Sequence, residues 1–360
     1  MTKDALEPSP SADLLAELRQ LIDETRNAVA VAINSGLTLL YWQIGRRIHK
    51  ELLNDARADY GSQIITLLAQ QLTQEYGRGF TEQNLRHMMR FAEVFPDEQI
   101  LYAARRELSW SHFRRLMYLD DPLKRDFYAE LCRLERWSTR TLQAKIDGML
   151  YERTALSRKP AEVVRHELDA LRNEDRITPD LLFKDPYLLD FLGIRDHYYE
   201  KDLEDAILRE MEAFLLELGT GFAFLSRQKR IQLDDDDFYI DLLFYNRRLR
   251  RLVAIDLKLG DFKPADKGQM ELYLRWLDRY ERQPGENPPL GIILCSGKKT
   301  EQIELLELDK SGIHVAEYLT ELPPREVLAQ KLHTVIAQSR ARLAQHPVAQ
   351  TELGQEQGDE

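Results

Sequence analysis

The chain has 360 residues, of which 43% are hydrophobic, and its 50 lysines and arginines against 61 aspartates and glutamates leave a formal charge of −11. That arithmetic fits about two globular domains and excludes both a disordered polymer and a protein that coats nucleic acid through bulk positive charge. Cys132 and Cys295 are too few for a disulfide scaffold or a cysteine-built zinc site, and they suit a reducing, cytoplasmic setting.

Residues 1–13, with Pro8 and Pro10 among small polar side chains, read as a flexible tail without the apolar core of a secretory signal. From Leu14 to Arg153 the pattern is helical. Apolar residues at three- and four-residue spacing predict two helices between Leu14 and Leu53. Another opens at Gly61 and ends near Gly77 and Gly79, residues suited to a left-handed cap. Thr81 is placed to cap the next helix, and Pro96 to stop it. LSWSHF and the run from Pro122 to Arg153 complete an all-α domain over 14–153, in which Trp42, Trp110 and Trp137 read as core anchors. No apolar run is seen to approach the roughly 20 residues that cross a bilayer, so no membrane partner is expected.

Residues 154–184 are polar, hold Pro160 and Pro179, and read as a linker with one helix from Ala161 to Leu171. Lys201 to Leu218 predicts an amphipathic helix closed by Gly219. Strand-like runs follow at 221–233, 238–246 and 251–259, then a helix over 267–282, strands at 289–296 and 312–319, and a last helix over 323–346. This order describes a mixed α/β domain over 185–345, followed by an acidic tail, 346–360.

The chemistry concentrates in DDDDFYIDLLFYNRRLRRLVAIDLKLGDFKP, which begins with the acidic run Asp234 to Asp237. Asp241 stands between Ile240 and Leu242 in an otherwise apolar strand, where an uncompensated carboxylate would cost several kcal/mol. Asp256 and Lys258 are two apart on the next strand and so share a face. Asn246 to Leu249 supplies a turn, and the resulting hairpin brings Asp241 close to Asp256. Two acidic oxygens beside a lysine suit a hard cation: Mg2+, with Mn2+ able to substitute. Such an ion acidifies a bound water and stabilises charge on a phosphodiester, while Lys258 orients the nucleophile or neutralises developing charge.

The order of a helix with Glu, a strand with Asp and a strand with Asp-x-Lys resembles the core of the PD-(D/E)XK nuclease superfamily. The phrases FLLELGTGFAF, YIDLLFYNRRL, IDLKLGDFKP and KGQMELYL, with YWQIGRRI, NLRHMMRF and LSWSHF upstream, resemble its YhcG type over roughly residues 14–340. The resemblance implies an α+β multidomain chain: an all-α domain, then a restriction-endonuclease-like α/β domain. It implies a Mg2+-dependent endo- or exodeoxyribonuclease. Asp241 matches the first metal-binding acid, and Asp256, commonly Glu in relatives, forms with Lys258 the D/ExK pair. Gln269 and Tyr273 resemble a Gln-x-x-x-Tyr element whose Gln supports the site and whose Tyr contacts DNA. The helical Glu falls at Glu204, Glu210 or Glu217, with Glu204 favoured near the helix start as a catalytic and metal-binding acid. Ile240 replaces the Pro that classically precedes the first Asp. The alternative is a catalytically silent nucleic-acid-binding or assembly subunit that keeps the nuclease fold.

Lys263 and Lys267 near the site, and Arg247 and Arg248 in the hairpin turn, are expected to hold phosphates without reading bases. In the helical domain Arg86 and Arg90, with Arg105, Arg106, Arg114 and Arg115 nearby, suggest a helix-turn-helix or winged-helix contact with DNA. The partners expected are therefore DNA, with RNA left open, and a second copy in a homodimer or larger assembly.

Overall fold

The computed structural model describes residues 12–53, 58–96, 108–194, 199–233, 236–306 and 308–345. Both tails, Arg105, Arg106, Asp234 and Asp235 lie outside the described residues. The chain divides into two compact units, Met1–Ala144 and Lys145–Glu360.

The first unit contains α1 (Ala12–Leu53), α2 (Ala58–Tyr76), α3 (Glu82–Val94), α4 (Trp110–Leu116) and α5 (Pro122–Glu135), with α6 (Thr139–Asp147) beginning in it. Where two helices were expected from Leu14 to Leu53, α1 is continuous over 42 residues. The segment holds no proline, and its two glycines, Gly36 and Gly45, weaken a helix without breaking it. Its stretch Leu15–Glu51 is long and apolar enough, by length and composition, to cross a membrane, which corrects the expectation that no run approaches that length. The C-terminal half packs within the unit instead. Thr38, Trp42 and Ile48 are buried, and Trp42 Nε1 donates to Phe95 O at 2.8 Å. Gly45 lets α1 and α3 meet at backbone distance, since a Cβ there would lie 1.9 Å from Met88 O. On α3, Leu85, Met88 and Phe91 are fully buried. Thr81 sits at the N-cap position without a side-chain cap bond. Among the described residues this unit contains no strand, so the wing of a winged helix is not found there.

The second unit begins with α7 (Leu150–Arg153), α8 (Ala161–Glu174), α9 (Pro179–Leu182) and the two-residue strand β1 (Tyr187–Leu188). Residues 154–184, expected as a linker, are folded into it. Val164, Leu168 and Leu171 form a buried stripe on α8, and the buried Asp185 carboxylate pairs with Arg158 and Lys298. The helix expected over 201–218 is divided at Glu210 into α10 (Glu200–Arg209) and α11 (Met211–Leu218). After the break Phe214 and Leu218 are fully buried, with the Phe214 ring 6.1 Å from Phe244.

β2 (Phe222–Leu233), β3 (Asp236–Asn246) and β4 (Arg251–Leu257) form an antiparallel meander. Helix α12 (Pro264–Tyr280) then leads to β5 (Leu290–Cys295), which lies parallel to β4. α13 (Thr300–Leu305), β6 (Ile313–Leu319) and α14 (Arg325–Gln345) complete the unit. The sheet order is β1-β6-β5-β4-β3-β2, with β4, β5, β6 and β1 parallel. All six residues of β5 are buried, as befits a strand in the parallel interior of a sheet. β1 escapes pattern reading because two residues are too few to show a period.

Candidate active site

The β3–β4 register pairs Leu242 with Ile255, which carries Asp241 to the position beside Asp256. Asp241 interrupts the ladder. Its Oδ2 accepts the Leu257 N–H at 2.8 Å, a bond that would otherwise belong to backbone. Asp256 is buried, with 2% exposure, and Lys258 Nζ lies 2.9 Å from its Oδ2. That ammonium is the partner of the buried Oδ2.

Glu204 comes from α10, buried at 7%, and reaches the same place through a residue that strand periodicity did not single out. Gln228 on β2 donates from one nitrogen to Glu204 Oε2 at 2.7 Å and to Asp241 Oδ1 at 3.1 Å. A bulge between Phe224 and Ser226 shifts the β2–β3 pairing by one residue, so that Gln228 falls opposite Asp241. The backbone of Gln228 is left-handed, φ 45°, a conformation that costs a residue other than glycine. Glu204 Oε1 is buried without a hydrogen bond and faces only Arg227 Nε, at 3.7 Å.

Burial dominates the electrostatics. It pushes the Asp256 carboxyl up to about 7 against the pull of Lys258, with Asp241 adding repulsion. It also raises Asp241, whose Leu257 and Gln228 hydrogen bonds oppose the shift, and Glu204, which Gln228 likewise steadies. On Lys258 burial works downward, but the carboxylates of Asp256, Asp241 and Glu200 outweigh it and leave the ammonium favoured. The result is a compact group of reluctant anions around one firm cation. Among the described residues no three or more His, Cys, Asp or Glu side chains stand close enough to form a ready-made metal cage. The donors are nonetheless all hard oxygens, and Glu204 Oε1 is buried without a hydrogen bond, the chemistry that suits Mg2+ or Mn2+.

Of the other helical acids, Glu217 is spent elsewhere. It pairs with Arg153 and, at 3.4 Å, with Lys184, and Glu210 occupies the break between α10 and α11. Gln269 donates to the Tyr273 hydroxyl, which donates to Tyr239 O at 2.8 Å, two residues before Asp241. Tyr273 is 1% exposed, so the expectation that it contacts DNA is corrected: its ring fills the core and its hydroxyl ties α12 to β3.

The phosphate-binding expectations fare unevenly. Lys263 is exposed on the segment that follows β4. Lys267 donates to Leu306 O at 2.9 Å and pairs with Glu271 at 3.4 Å, so it fastens α12 rather than facing the site. Arg247 and Arg248 lie at the far end of the hairpin, six and seven residues from Asp241, about 20 Å along an extended strand. Arg86 pairs with Glu82 at 2.8 Å; Arg90 donates to Met117 O at 3.0 Å and covers the Tyr118 ring at 4.7 Å.

Two family models match the chain. The one described as the YhcG PDDEXK nuclease domain covers residues 180–333, and the one described as the DUF1016 N-terminal domain covers 17–153. The Escherichia coli (strain K12) protein named "Putative nuclease YhcG" is 35% identical over 343 residues, 87% of this chain and 91% of that one. Among solved structures, a repair endonuclease from Pyrococcus abyssi is 21% identical over 36% of this chain and 50% of its own, with a TM-score of 0.24. An EndoMS–dsDNA2 complex is 18% identical over 33% and 46%, with a TM-score of 0.26. The chain thus spans about half the length of these two structures.

Proposed function

The chain belongs to the YhcG family of PDDEXK nucleases, and on that footing we propose that it is a Mg2+-dependent deoxyribonuclease working from the β3–β4 hairpin. The observation that carries this reading is the meeting of three buried or half-buried carboxylates, Asp241, Asp256 and Glu204, with Lys258 paired to Asp256 and Gln228 joining the other two. Asp241, Asp256 and Glu204 would hold the ion, which when bound supplies a more acidic water and neutralises phosphodiester charge. Lys258, kept protonated by its acidic neighbours, orients the attacking water and meets charge as it develops on the phosphate. Asp256 must lose its proton before it can act as a ligand, which its raised pKa delays to near-neutral pH. Gln269 supports the site indirectly, through Tyr273 and strand β3. Exposed Lys263 is the nearest candidate for a phosphate contact, and a cytoplasmic location accords with two buried free thiols.

Purified protein incubated with Mg2+ or Mn2+ and single-stranded, duplex or branched DNA, with RNA in parallel, tests the proposal. Cleavage of DNA is expected, with losses of about 100-fold or more in Asp256→Asn and Lys258→Met. Wild type that cuts nothing, or variants that cut as well as wild type, overturn it. A second reading, a nuclease fold that binds but does not cut, is favoured by the position of the Gln228 amide between two of the acids. Calorimetric titration with Mn2+ separates them, since the silent scaffold would show no binding that depends on Asp241.

A further inference from the structure

Within the proposed centre, Gln228 has no role assigned by motif, yet it touches more of the site than any other neutral side chain described. Its Nε2 lies within hydrogen-bond distance of two carboxylates from different elements, Glu204 on α10 and Asp241 on β3. An amide nitrogen carries two N–H groups, enough for one to each acid. The assignment of nitrogen rather than oxygen to this position follows from charge, because an amide oxygen there would face two anions.

We propose that Gln228 is a competitor of the metal ion: it holds Glu204 and Asp241 together in the cation-free protein and must turn away as a cation enters, so that it sets the metal affinity of the centre. This rests on the reading of those carboxylates as ligands. One oxygen of each acid is committed to Gln228. Asp241 Oδ2 is already held by the Leu257 N–H, so Oδ1 is its oxygen available to a cation, and that is the one Gln228 takes. Glu204 Oε1 accepts no hydrogen bond and faces Arg227 Nε only at 3.7 Å, while Oε2 is bound to Gln228. A divalent ion held by the two acids would compete for these same oxygens, and its positive charge would oppose the N–H groups that now point at them. Hydrogen bonds to ionised acceptors are the strong kind, so surrendering two of them weakens metal binding appreciably. The strand is built to impose this arrangement, with the bulge placing Gln228 opposite Asp241 and its backbone held at φ 45°.

The test is calorimetric titration of the full chain with Mn2+ at pH 8, comparing wild type, Gln228→Met, Gln228→Gly and Asp241→Asn. Methionine keeps the length of the side chain without a donor. Glycine removes the side chain and suits the left-handed backbone, so it remains informative should the methionine variant fail to fold. Both variants should bind Mn2+ about tenfold or more tightly than wild type. Mere structural damage weakens metal binding, so the direction of the change is diagnostic. Unchanged or weaker binding in the Gln228 variants, with wild-type binding intact and lost in Asp241→Asn, overturns the role of Gln228 and leaves the metal centre standing. Wild type without Asp241-dependent binding overturns both.

Discussion

Burial determines what each ionisable side chain of the second unit can do. Asp241, Asp256 and Lys258 stand out in the sequence because charge inside an apolar strand is expensive, and the structure places all three together. Gln228 carries no such signal. An uncharged amide between Arg227 and Lys229 looks like ordinary strand surface, and only the bulge upstream turns it toward Asp241. His314 shows the same dependence on packing away from the site. Its ring lies 5.0 Å from Phe183, and its Nε2 lies 2.9 Å from Lys184 O. Burial, with Lys298 nearby, pushes it down to about 4. An unfolded histidine takes its proton near 6.5, so between those values the unfolded chain binds more protons and stability rises with pH. The contribution is complete above 6.5 and is lost as pH falls through 4. Thermal melts from pH 7 to 4.5 should therefore steepen in wild type relative to His314→Gln, by on the order of 1–2 kcal/mol at the acid end. Parallel pH profiles for the two proteins would refute this.

At the scale of elements, periodicity carried the strands of the sheet and most helices, because each buries one continuous face. What it missed are interruptions that leave the period intact on either side: the break at Glu210, the bulge at Leu225 and the two-residue strand β1. The contact between α1 and α3 was equally hidden, since nothing in a helical pattern says which glycine faces a neighbour. Gly36 and Gly45 make that contrast measurable. A Cβ at Gly36 meets nothing within 4 Å, whereas one at Gly45 would collide with Met88 backbone. Gly36→Ala should stabilise the protein by about 0.5–1 kcal/mol through helix propensity. Gly45→Ala should destabilise it by about 2–4 kcal/mol, because backbone atoms cannot yield as a side chain can. Chemical denaturation of the two variants checks both signs at once.

At the scale of the whole chain, the charge of −11 is unevenly carried. Through Ala144 there are 19 basic and 20 acidic residues, and after it 31 and 41. The unit that holds the proposed centre is thus the acidic one. Bulk attraction cannot hold a nucleic acid against it, so binding has to come from the metal centre and a small number of basic contacts. DNA binding by the Lys258→Met variant should accordingly show a shallow salt dependence, with a log–log slope of about −3 or less steep in fluorescence titrations. A slope near that of a highly basic DNA-binding protein would contradict this picture.

The sequence by itself determined the division into a helical part and an α/β part, the strand pair and the acids upon it. Those features follow from local periodicity and from the cost of burying charge, which a single stretch of chain reveals. Only the tertiary structure decided which helical acid joins the pair, that Tyr273 is a core residue, that residues 154–184 are packed, and that Gln228 stands between Glu204 and Asp241. Each of these depends on register, bulge or contact between segments far apart in the chain, and pairings of that kind leave no trace in the spacing of residues along it.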